Sequence, residues 1–292
     1  MNKRYFCFLV LSASVLSGCG LTSTQVRAVR SFGSATKCVG QMGEEEFIRI
    51  RKEIIRMNKE LYAIDNTKTS DSMVLDYPVS AEAASGRVAA CKALRSYGEL
   101  LVRLSGESRA EELASASEDL VNNACAALNK KMSEEESDAV GSLVSGLGDC
   151  WIQKKKADAL RKIVPVFSEP VEALADLIGE DFSLDSTSLG FLKAYEITAR
   201  RLKNGTVKLI DAGNGFNILE RDKAVEAYSL AETALIRADE VSEKAVKALK
   251  KLKKANTELA KAMSKTSFSM EDIRDFAEQI EELVNLIEVL TY

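Results

Sequence analysis

The chain has 292 residues, of which 46% are hydrophobic and 29% charged, with a formal net charge of −4. That is enough apolar mass for a packed core, and it lies far from a disordered composition. Histidine is absent, which excludes Ser-His-Asp and Cys-His catalysis, His-ligated zinc and any histidine proton transfer. With only three prolines and 16 glycines, breakers are scarce, and long helices are favoured over a turn-rich β fold.

The N-terminus reads as an address. Lys3 and Arg4 form a positive n-region, and Tyr5 to Leu16 is a mostly apolar run too short for a permanent membrane span. It ends in Leu16-Ser17-Gly18-Cys19, which resembles the lipobox of bacterial lipoproteins. The resemblance covers residues 1–19 and implies that 1–18 are a signal peptide cut before Cys19. The Cys19 thiol would then carry diacylglycerol and its new amine a fatty acyl chain such as palmitate. Several acyl chains attach a protein stably, where one gives marginal binding. Gly20 stands where an Asp would retain such a protein at the inner membrane, so the expected location is the outer membrane, lipid-anchored on its periplasmic side. Removal of 1–18 leaves 38 basic against 44 acidic residues, or −6. That is a poor field for nucleic acid.

Four cysteines remain, Cys38, Cys91, Cys125 and Cys150. An even number in an oxidising compartment suggests two disulfides. The spacings fit no zinc or CxxC motif. Cys91 and Cys125 fall at similar heights on two predicted antiparallel helices joined near Gly106, which favours a 91–125 bridge and, by elimination, 38–150. Closing the 91–125 loop is worth roughly 3–4 kcal/mol in the loop-entropy model.

Residues 19–23 form the lipidated cysteine and a tether. From Thr24, apolar residues recur at helical spacing, strongest over Phe47, Ile50, Ile54, Met57 and Leu61. Gly33, Gly40 and Gly43 weaken the earlier part and leave one helix or two open. Residues 65–78 read as a polar loop. A helix follows from Ser80, a plausible cap, to Leu104, and a third from Ser108 to Lys131. Ser133 with Glu136 gives a capping-box pattern for a fourth through Trp151 to Val164. Together 24–164 reads as a four-helix up-down bundle.

Pro165 and Pro170 mark a domain boundary in this reading. A short helix (171–178) and a Ser/Asp-rich loop follow, then a helix from Thr187 through Asn204-Gly205 to Ala212, stopped by Gly213-Asn214-Gly215. A spine helix of about 218–265, roughly 70 Å long, carries unbroken heptads that include Tyr228, Ala231, Leu235, Leu249, Leu252, Asn256 and Leu259. The last helix starts near Ser269. Residues 243–265 carry eight lysines and net +6, and 269–292 net −6. This pairs the last helix antiparallel with 243–265 and leaves 218–242 to face the helix at 187–212. The fold class is therefore all-α, an elongated antiparallel helical bundle with long heptad-patterned helices, and 165–292 is a set of hairpins around the spine.

Chemistry is sparse. The lysine-rich stretch, with Lys247, Lys254 and Lys261 outward, reads as a solvated face met by the last helix. Glu107-Ser108 and Glu136-Ser137 match the Glu-Ser dipeptide of lytic transglycosylases, but the companion Gly-Leu-Met-Gln is missing and capping explains both. Residues 211–220 fail as a calcium loop because Gly213 and Gly215 stand where oxygen ligands are needed. Trp151 and Tyr195 read as core aromatics. No catalytic residue, metal site or cofactor is expected. The expected role is a non-enzymatic scaffold or protein-interaction module with an envelope protein partner. The alternatives are a peptidoglycan-acting enzyme using a carboxylate, and a periplasmic carrier of lipid or another hydrophobic ligand.

Overall fold

The computed structural model describes residues 21–64, 74–108, 110–128, 152–185, 187, 189–211, 217–264 and 269–289. Among them all regular structure is helical: α1 Ser23–Ile64, α2 Ala81–Ser105, α3 Ala110–Leu128, α4 Ile152–Phe182, α5 Phe191–Asp211, α6 Ile218–Met263 and α7 Met270–Val289. The all-α expectation holds.

Local chemistry explains the ends. Ser80 caps α2 by accepting the Ala83 amide at 3.1 Å. Asn217 and Glu220 form a reciprocal capping box at the start of α6. At its other end, Glu258 accepts the Ser269 amide at 2.7 Å and the Lys261 ammonium at 2.6 Å. These bonds tie α6 to the start of α7 and hold the Glu258 carboxyl below its usual range.

The long helices α1 and α6 run side by side; α2, α5 and α7 pack on α1, α4, α5 and α7 pack on α6, and α3 packs on α2. Gln25 near the start of α1 donates to the Ala262 carbonyl near the end of α6 at 2.6 Å, so the two are antiparallel. Phe32 of α1 packs on Phe276 of α7, with ring centroids 5.6 Å apart, and Phe47 packs on both Phe182 of α4 and Phe191 of α5. One continuous core runs through all seven helices.

One open point is settled and one sequence expectation changes. First, Gly33, Gly40 and Gly43 do not divide α1, which is a single helix of 42 residues. They are where α2 comes close: a Cβ on Gly40 would lie 2.5 Å from both the Arg95 amide nitrogen and the Cys91 carbonyl, and one on Gly98 of α2 would lie 2.4 Å from the Lys37 nitrogen. Here glycine permits backbone-to-backbone packing. Second, Pro165 and Pro170 mark no boundary; both lie inside α4. Pro165 is exposed, so the carbonyl it deprives of a partner can be met by water. The opposite face of α4 (Ile163, Val164, Phe167, Val171, Leu174) is buried and keeps the helix on course. The expected separate helix at 171–178 is part of α4.

The spine expectation holds. Lys244, Lys251 and Lys254 of α6 pair with Glu282, Asp275 and Asp272 of α7 in antiparallel order. In the other half of α6, Glu232 pairs with Lys203 of α5, whose ammonium lies 5.3 Å from the Tyr228 ring centroid. Asn256 is fully buried on the heptad seam and donates to the Ser168 carbonyl and hydroxyl. A fully buried, hydrogen-bonded amide there favours one register over its neighbours.

Candidate functional site

The molecule has two distinct ends. At one, α1 begins beside the end of α6 and the α2–α3 turn: Arg30 donates to the Ser105 carbonyl at 3.2 Å and Lys156 of α4 to the Gly106 carbonyl at 2.5 Å. At the other, α1 ends against α5, where Gly205 leaves room for the Ile64 side chain. There Glu60 is close enough to act on the charge of Lys223 in the first turns of α6. With 42 residues in α1, the ends are about 60 Å apart.

The far end exposes apolar side chains. Ile218 is 87% exposed and Leu219 75%, at the start of α6, and Val225 follows one heptad after Ile218. Val207 on α5 is also exposed, and the Lys203–Tyr228 contact places it within about a turn of Val225. Elsewhere on α6 the large apolar residues are buried or half-buried apart from Ile236, so this cluster departs from the pattern of its own helix. Arg221, Asp222 and Glu226 rim it with mixed charge.

Between the ends lies a buried polar network. Arg237 of α6 donates from Nε and Nη2 to the two Glu46 oxygens of α1, at 3.0 and 2.7 Å, with both residues almost fully buried. Burial alone would depress the guanidinium, but the bonds to Glu46 outweigh it and hold its pKa up. One and two turns along α1, Arg49 approaches Glu46 and Glu53 accepts the Tyr195 hydroxyl of α5. Burial first, then the Glu53 charge, pushes the Tyr195 phenol well up. This spot is built to align three helices. Its carboxylates are already held by arginine and tyrosine, so it offers no ready acid or base.

Three recesses bear on the alternative functions. An apolar cleft between α1, α4, α6 and α7, lined by Val39, Met42, Phe182, Val241, Ala248 and Leu283, holds about 30 Å³ of free volume. That is space for about two waters, not a lipid chain. A polar groove over α1–α3 holds about 430 Å³, but its cations Lys37, Arg95 and Arg103 each sit on a glutamate. The third recess, at the α1 start, is lined by Leu21, Arg30, Glu107 and Lys156.

Cys19 and Cys150 lie outside the described residues, as do Trp151, Glu136-Ser137 and Gly213–Gly215. Cys38 and Cys91 are free thiols. Cys125 belongs to α3, in a stretch whose side chains fall outside the described residues. The Cys91 sulfur packs against Gly43 of α1, and burial pushes its pKa far up. Glu107 and Ser108 lie in the turn before α3, as expected for a helix start, and Tyr195 is in the core. The apolar tip and the Arg30–Lys156 recess were not anticipated. The signal for the tip was Ile218-Leu219 off the heptad seam. The recess joins residues 126 positions apart and had no local signal.

Among the described residues no helix is long and apolar enough to cross a membrane, and no group of acidic or thiol side chains is placed to hold a metal ion. No protein family, curated protein or solved structure matches the chain.

Proposed function

We propose that the protein is a lipoprotein anchored through Cys19 to the periplasmic face of the outer membrane, and that it acts as a non-enzymatic scaffold or interaction module. The observation that carries this reading is the apolar tip of Ile218, Leu219, Val225 and Val207, at the end of a helical rod remote from the start of α1. A lipid two residues before Leu21 would hold that tip about 60 Å from the anchor, where an envelope protein partner could dock on it. Exposed apolar clusters on otherwise well-packed proteins mark such sites.

The test is in-cell photocrosslinking from positions 218 and 225, followed by mass spectrometry, with position 122 on exposed α3 as control. The expected result is one specific envelope protein captured from the tip and not from the control, and lost in Ile218→Asp/Leu219→Asp. Capture that is equal at all positions, or none at the tip in the intact envelope, would overturn the scaffold reading. Labelling with an alkyne fatty acid, absent in Cys19→Ser, tests the anchor separately.

A further inference from the structure

We propose that the recess at the start of α1 binds a phosphate group, carried by the headgroup of a phospholipid in the membrane that the chain is anchored to. The inference rests on the anchored orientation proposed above. The recess holds about 410 Å³ and is lined by Leu21, Val26 and Leu104 together with Arg30, Lys156 and Glu107. That volume falls in the range of small-molecule sites.

What distinguishes it from the neighbouring groove is the state of its cations. Lys37, Arg95 and Arg103 in that groove are neutralised by Glu99 and Glu44. Arg30 and Lys156 instead donate to the carbonyls of Ser105 and Gly106, consecutive residues in one turn. Among the described residues neither pairs with a carboxylate. Lys156 is only 2% exposed, and burial lowers its pKa, an effect opposed by the charges of Glu107 and Glu112. Glu107 offsets only part of the charge of the two cations that share the recess with it, and an entering anion supplies the rest. The two carbonyls fix both cations on the same turn, and a planar guanidinium beside an ammonium suits a phosphate's several oxygens.

The apolar part of the lining adds the second half of the match. Leu21 and Val26 present apolar surface beside the cations, and Leu21 is two residues from Cys19. A phospholipid offers a phosphate bonded to a glyceryl–acyl region, polar and apolar side by side. Free phosphate shares the first half of this chemistry and not the second.

The test uses the full chain carrying Cys19→Ser, kept soluble in an alkyl-glycoside detergent, so that it does not depend on lipidation; acylation of the unaltered chain is read separately. Calorimetric titrations with short-chain phosphatidylglycerol, with its deacylated headgroup and with inorganic phosphate are compared for the parent, Arg30→Gln, Lys156→Gln and Val26→Ser. Arg30 is exposed, so Arg30→Gln keeps the fold even if the change at Lys156 does not, and circular dichroism checks both. The expected result is saturable binding of the lipid, at least tenfold weaker in Arg30→Gln and weakened several-fold in Val26→Ser, with inorganic phosphate binding more weakly. Inorganic phosphate binding as tightly as the lipid, with no effect of Val26→Ser, would overturn the lipid as source. No binding, or lipid binding unaffected by Arg30→Gln, would overturn the site.

Discussion

Replacing Gly98 by alanine separates packing from propensity. In a helix interior alanine is favoured over glycine by about 0.8–1 kcal/mol, so in an isolated helix the change stabilises. In the folded protein the new Cβ would lie 2.4 Å from the Lys37 nitrogen, 2.5 Å from the Gly33 carbonyl and 2.9 Å from the Lys37 Cα. All three are backbone atoms of α1 and cannot turn aside. Ordinary contact needs about 1 Å more, so α1 and α2 must part by that amount, which forfeits about a quarter to a half of each affected dispersion contact. With an overpacking cost of about 3 kcal/mol, less the propensity gain, the expected net loss is about 2 kcal/mol, or about 4–8 °C in Tm. Gly86 is the control, because it lies on the same helix with nothing within 4 Å of its would-be Cβ. Gly86→Ala should stabilise by up to about 1 kcal/mol. Urea unfolding followed by far-ultraviolet circular dichroism, with the slope checked for constancy, measures both. If Gly98→Ala proves as stable as Gly86→Ala, the close approach of α1 and α2 is wrong.

Two more expectations concern charge. Arg237→Met leaves Glu46 buried without its bidentate partner and should cost about 3–5 kcal/mol, whereas the double change Glu46→Leu/Arg237→Met should restore most of that; urea midpoints that rank the double variant no better than the single would refute the buried pair. The carboxyls of Glu258, Asp272 and Glu282 are all held low, by the Lys261 contact, the Lys254 contact, and the Gln279 and Lys244 contacts respectively. A depressed carboxyl stabilises the fold fully above its unfolded pKa and loses that contribution as pH falls through the folded value. Hydrogen exchange should therefore show α7 amides losing protection before those of the middle of α6 between about pH 5 and about pH 3. Loss that begins instead in α6 would count against the lysine–carboxylate seam.

The spine was legible because its signal is redundant. Heptads from Tyr228 onward, a basic face on α6 and an acidic α7 all demand the same antiparallel hairpin, and the Lys254–Asp272 and Lys244–Glu282 pairs realise it. The glycines of α1 were ambiguous because propensity sees only the local chain. Gly40 weakens a helix in isolation and becomes an asset only opposite Cys91 and Arg95, some 50 residues away. The prolines of α4 misled for the same reason, since the burial that holds Phe167 and Val171 in line comes from distant helices. Of the candidate sites, Ile218-Leu219 could have been noticed as apolar residues outside the seam. The pairing of Arg30 with Lys156 on one turn depends on how three helix ends meet, and no spacing rule encodes that.

The position of α1 at the centre of the bundle sets the order in which the chain can mature. Most of the helices that cover α1 come much later in the sequence: Gln25 bonds Ala262 across 237 positions, and Phe32 meets Phe276. Until those residues emerge, only α2 is at hand to cover it, and one apolar flank stays open. A chain truncated before α7 therefore presents a wet, sticky face rather than a smaller working version of itself.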